Sequence, residues 1–176
     1  MTVDEAGDRD DPSSDLRDVR AELHALYADL DAEVRRLGPV CELSGRCCRF
    51  EEYGHTLFLS APEAALLIAD APAPSRPLDD GVSCPWQDHR GRCTAREARP
   101  LGCRVYYCDP AFDGHAPALS EAFLGRLKAI VNRLGLDWDY APLHRHLRRA
   151  VEAGWAVPTA PAAGVDRMQT SAPEPA

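Results

Sequence analysis

The sequence predicts a mainly α-helical single domain with a minor β-hairpin and a loop-rich, cysteine-studded centre. Three observations carry this. The chain has 176 residues, 45% of them hydrophobic and 27% charged, which suits one globular domain. Long stretches repeat apolar residues every three or four positions. All seven cysteines fall between residues 41 and 108, in segments punctuated by glycine and proline.

The elements follow in order. Residues 1–13 are acidic apart from Arg9 and have little to bury, so an extended, disordered arm is expected. From Ser14 the chain reads as one ordered domain, 14–157. Leu16, Val19, Leu23, Leu26, Leu30, Val34 and Leu37 form the apolar stripe of an amphipathic helix. Ser14 is its expected N-cap and Gly38-Pro39 its stop. The stripe is expected to pack on the domain's own core. His55 to Leu59 reads as an extended piece. Ser60 and Glu63 then form an S-x-x-E capping box that opens a short helix through Ile68. Pro72, Pro74 and Pro77 end it as a stiff linker.

Cys84-Pro85-Trp86 and Gly91-Arg92-Cys93 flank a predicted tight hairpin turn around Asp88-His89-Arg90. Thr94 is the expected cap of a short helix that stops before Pro100. A helix over about 120–134 carries Phe123, Leu127, Ile130, Val131 and Leu134 on one face and closes at Gly135. Asp137, Asp139 and Tyr140 read as a capped turn with Trp138 in the core, and a last helix is expected from Ala141 to about Val151. Residues 158–176, rich in Pro and Ala, are expected to form a disordered tail.

Composition limits the function classes. No run reaches the roughly 18 apolar residues of a membrane span. The acidic start lacks the apolar core of a secretory signal, so a cytoplasmic protein is expected. A net charge of −8 argues against binding nucleic acid or an anionic membrane. Between Cys41 and Cys108, eight arginines nearly balance nine carboxylates, with no basic stripe. A protein partner is left open. No G-x-S-x-G, P-loop, G-x-G-x-x-G or H-E-x-x-H motif occurs, and no catalytic residue is assigned.

Cysteine chemistry is the strongest signal. Disulfide frameworks belong to oxidising compartments, and an odd count leaves a thiol over. Cys41, Cys47, Cys48, Cys84, Cys93, Cys103 and Cys108 therefore read as metal ligands, for zinc or for an iron–sulfur cluster. The metal would staple a region too poor in apolar residues to fold alone. The irregular spacing and the Cys47-Cys48 pair lean toward the cluster. Seven thiols fill one four-coordinate site with three to spare, or two sites with one position open to Ser44, His55 or solvent. Arg46, Arg49, Arg92, Arg96, Arg99 and Arg104 lie near these cysteines and suit screening of thiolate charge. His89, His115, His144 and His146 are expected to be surface or core residues; the last two, being two apart, face different ways on a helix.

The cysteine pattern resembles the CxxCxxCC, or YkgJ-type, cysteine cluster family of zinc- or iron-chelating proteins. Cys41, Cys47 and Cys48 match three cysteines of its C-x2-C-x2-C-C motif, with Ser44 at the second position. Cys84-Pro85, Gly91-x-Cys93, Arg99-Pro100, Cys103-Arg104 and Cys108 match its later motif, while Thr94-Ala95-Arg96 departs from it in part. Leu57-Phe58-Leu59-Ser60 is similar to its middle element. The resemblance covers residues 41–108. It implies a metal-binding protein; flagellin lysine methylases carry similar motifs, which makes protein modification an enzyme alternative. A zinc-stapled interaction module without catalysis is the other. Thiol redox exchange is disfavoured because no C-x-x-C pair is present.

Overall fold

The computed structural model describes residues 12–158, with side chains from residue 17 onward. Five α-helices and a two-stranded antiparallel sheet make up its regular structure, as the sequence predicts. Of the expected arm and tail, residues 1–11 and 159–176 lie outside the described residues. Pro12 and Ser13 instead open the first helix.

Helix α1, Pro12–Leu37, buries the predicted stripe: Leu23, Leu26, Leu30 and Val34 are all in the core, and Tyr27 joins them. Gly38 ends it in the left-handed region (φ 67°), donating its N–H to Val34 O at 3.0 Å. Helix α2, Ala61–Asp70, opens with the predicted capping box, both halves of which are present. Helix α3 is short, Leu101–Arg104, and α4 spans Ala116–Arg133 with Phe123, Leu127 and Val131 buried. Helix α4 starts four residues before the prediction because Pro117 sits in its first turn, where a missing N–H costs nothing.

Two expectations need correction. No helix follows Thr94; its hydroxyl and N–H both bond to Trp86 O, at 3.0 and 2.8 Å, and so close the hairpin instead. The helical turn comes after Pro100, whose extended backbone serves as N-cap of α3. Nor does the last helix begin at Ala141. Residues Tyr140–Pro142 form strand β2, and α5 runs Leu143–Glu152. Pro142 explains this, since the residue before a proline is biased toward extended backbone. Strand β2 pairs antiparallel with β1, Phe58–Ser60, in the register Leu59↔Ala141. The predicted hairpin at residues 84–93 is present as a single antiparallel bridge, Gln87↔Cys93. The proline linker folds back on it, Ser75 and Arg76 N–H both bonding to Pro85 O.

Two apolar clusters result. The first joins α1, α3 and α4 through Leu23, Leu30, Leu101, Phe123 and Leu127. The second gathers Cys48, Phe50, Leu59, Cys84, Trp86, Leu143 and Leu147 around the cysteine loops. Helix α2 is the wall between them, giving Leu66 to the first and Ala64 and Leu67 to the second. Trp138 packs only partly buried at the edge of the first, stacked on Tyr140 at 5.5 Å.

Glu63 ties these parts together. It is 2% exposed and accepts from Ser60 N (2.9 Å), Ser60 Oγ (3.0 Å), Tyr27 Oη (3.0 Å) and Leu101 N (2.9 Å). One carboxylate thus fastens α2 to its own cap, to α1 and to α3. Burial, and then the charge of Glu63, hold the Tyr27 hydroxyl protonated, which keeps it a donor. Replacing Glu63 by Ala strands several buried donors and should cost at least about 3 kcal/mol, whereas Tyr27→Phe should cost only about 1 kcal/mol. Urea unfolding of the three proteins checks this; equal losses would contradict the role given to Glu63.

Candidate metal centre

Three segments deliver the cysteines. The first is the loop 41–50, which tightens into a 3-10 turn at Arg46–Cys48. The second is the hairpin 84–94, and the third is α3 with the stretch that follows it to Cys108. The loop and hairpin are joined by Cys84 N–H to Cys48 O at 2.8 Å. Gln87, fully buried, adds a brace by donating from Nε2 to Gly45 O (3.0 Å) and Gly91 O (3.1 Å). The approach is close enough that only glycine fits at 45. It lies at φ 71°, and a Cβ there would stand 2.3 Å from Gly91 O and 2.6 Å from Gln87 Nε2.

At this junction two thiols meet, and those of Cys84, Cys93 and Cys103 lie near enough to be felt electrostatically. Cys47 Sγ and Cys48 Sγ are 3.8 Å apart. Cys48, 4% exposed, interacts through its thiol with Cys47, Cys84 and Cys93 together. Cys103, on α3, feels the charges of Cys84, Cys47 and Cys93. All seven cysteines are free thiols. The donor set is therefore sulfur only, the chemistry that suits zinc or iron. Among the described residues, no group of three or more His, Cys, Asp or Glu side chains is placed so that it could hold a metal ion as the side chains stand.

The thiols divide the protons unequally. Hydrogen bonding from Cys48, aided by Arg99, lowers Cys47 to about 7 against the opposing effect of burial. Hydrogen bonding from Cys48, with an N–H from Ala95 and the charges of Arg99 and Arg96, lowers Cys93 to about 6. Cys48 moves the other way, up, because neighbouring sulfurs, Cys47 first, favour its protonated form, and burial adds to this. Burial, then the neighbouring thiols, also raise Cys103. Thiolate is the form that ligates metal, and two members of the group are poised toward it.

The other two predicted ligands stand apart. Cys41 is exposed, and Cys108 meets Ser44 Oγ at 3.1 Å. Both line a small recess that also reaches Cys47 and Cys93. Ser44 thus sits beside the outer cysteines and not among the inner five. His55 stacks on Tyr106 at 5.2 Å and meets Phe50 edge-on, with Nε2 3.4 Å from Cys47 O and Nδ1 buried without a hydrogen-bond partner. It borders the centre through backbone and aromatic contacts. His89 and His115 are exposed, and His146 is buried with Nε2 3.0 Å from Leu59 O, so these act as surface and core residues.

The arginines also separate by role. Arg96 and Arg99 act on the thiols. Arg46 and Arg49 instead lie over Tyr53, with Arg49 paired to Glu52. Arg104 is 6% exposed and lies over the Tyr27 ring at 4.4 Å. It bonds Asp31 Oδ2 (2.6 Å), Arg99 O (2.7 Å) and Glu97 O (2.7 Å). It pins the chain leading into α3 against α1. Gln87 and Gly45 are contributors that sequence reasoning missed, because neither residue type carries a ligand signature.

The glycine geometry gives a sharp contrast. Gly45→Ala should cost more than about 2 kcal/mol, from left-handed strain plus a backbone clash. Gly38→Ala, where nothing lies within 4 Å of the added Cβ, should cost only about 1 kcal/mol. Denaturant midpoints of the two variants decide it; equal losses would refute the close approach at Gly45.

Compared with known proteins, the chain matches no family model, no curated protein and no solved structure.

Proposed function

We propose that this chain is a cytoplasmic metal-binding protein of the cysteine cluster type, holding its metal through Cys47, Cys48, Cys84 and Cys93, with Cys103 alongside. The observations that carry the reading are the Cys47–Cys48 sulfur contact at 3.8 Å and the Cys84 N–H to Cys48 O bond at 2.8 Å, which brings the hairpin that bears Cys84 and Cys93 to the same junction. Thiols brought together without a disulfide suit a soft metal ion. The site would supply cohesion to a region otherwise held by loops.

One sulfur separation matches a single tetrahedral ion. With metal–sulfur bonds of about 2.3 Å, the edge of a four-sulfur tetrahedron is about 3.8 Å. The Cys47–Cys48 separation is 3.8 Å. An iron–sulfur cluster is the second reading, supported by the supply of five thiols with Arg96 and Arg99 beside them. In either case Cys41 and Cys108 are rim residues. No helix among the described residues is long and apolar enough to cross a bilayer. A zinc-stapled module that presents its surface to a partner agrees with the single-ion geometry. The lysine-modification alternative gains no support from the structure.

The test is metal and acid-labile sulfide content of protein purified without oxygen, for wild type, Cys48→Ser and Cys41→Ser. Wild type and Cys41→Ser should carry equal metal, about one ion per chain, while Cys48→Ser should lose most of it. Sulfide in proportion to iron would select the cluster. Metal-free wild type, or full metal in Cys48→Ser, would overturn the proposal. Chelator treatment should also lower the thermal midpoint of wild type and leave Cys48→Ser unchanged.

A further inference from the structure

Seventeen arginines fall among the described residues of this acidic protein. Eight of them face a carboxylate on the same or a neighbouring element. Arg92, Arg96 and Arg99 do not, although the chain has an excess of acids. All three line one recess of about 70 Å³ beside the cysteines, whose walls include no aspartate or glutamate. Arg96 and Arg99, with Tyr107, continue into an adjoining recess of about 230 Å³ that also holds Arg35. There Asp31 is already engaged by Arg104, and Glu97 stands as the one other carboxylate on the wall.

We infer that this arginine-lined recess is an anion subsite, which receives the phosphate or carboxylate group of a ligand next to the cysteine centre. Guanidinium groups bind such oxyanions through paired N–H donors in a plane. The backbone directs them: Arg99 Nε donates to Arg96 O at 3.0 Å, which fixes its stem and leaves its two terminal nitrogens free of any ion pair. Tyr106 and Tyr107, on the wall of the same recess, add phenol groups.

Charge balance supports a guest. On the metal-bound reading above, four thiolates around a divalent ion leave two negative charges. Three guanidinium groups exceed them, so a positive surplus remains for an anion. The inference rests on that reading for the charge count only; the recess and its arginines exist without it.

Titration of the metal-containing protein, labelled with 15N, by inorganic phosphate and separately by succinate tests it through the arginine Nε–H resonances. Shifts should concentrate on Arg92, Arg96 and Arg99 with at least one anion, and whichever binds more tightly identifies the ligand group. Arg96→Gln should weaken that binding roughly tenfold, and Arg145→Gln, an exposed residue elsewhere, should leave it unchanged. Arg96 is exposed, so the variant should fold, and its metal content is measured in parallel. No shift with either anion would overturn the subsite, as would uniform shifts at all exposed arginines or equal binding in Arg96→Gln. Metal lost from wild type with anion binding intact would sink the metal reading while leaving the subsite standing.

Discussion

The contact between Cys48 and the hairpin is the constraint on which the centre of this molecule depends. Cys48 sits at the end of a three-residue turn, gives its carbonyl to Cys84 N–H, and sets its thiol 3.8 Å from that of Cys47. Phe50 from the loop and Trp86 from the hairpin pack in one apolar cluster behind this contact. Gln87 and Gly45 supply a polar brace and a glycine that permits the approach. Buried thiols so close repel one another as they ionise. A shared positive ion would turn that repulsion into attraction, and on this account the loops fold tightly because they close around one.

The helices serve that centre indirectly. Helix α2 separates two apolar clusters and touches both, while Glu63 at its start anchors α1 and α3. Because α3 carries Cys103, the same carboxylate that fixes the helical frame also sets the position of a thiol. Arg104 repeats the logic from the other side. It holds carbonyls of residues 97 and 99 and the carboxylate of Asp31, so that Arg99 and Cys103 arrive together. A frame of helices thus presents loops, and the loops carry the chemistry.

Much of this was legible in the sequence where local physics decides. The stripe of α1, the capping box at Ser60 and Glu63, the hairpin around residues 88–90 and the face of α4 all follow from periodicity and turn chemistry. Strand β2 did not show, because its partner lies some eighty residues away and three residues offer no periodicity. Thr94 was misread because a threonine before a short run caps a helix or closes a hairpin equally well. The cysteines were readable as a set, yet their division into five inner and two outer residues depends on tertiary approach. Spacing cannot show that Ser44 meets Cys108, or that Gln87 braces two loops.

The central claim is that these inner thiols hold a metal directly. X-ray absorption at the metal edge, on protein purified without oxygen, measures it most directly. The account predicts a shell of about four sulfur scatterers near 2.3 Å, with no second metal close by. A short metal–metal distance would select a cluster in place of the single ion. A shell of nitrogen and oxygen, or protein with no bound metal, would contradict the claim itself.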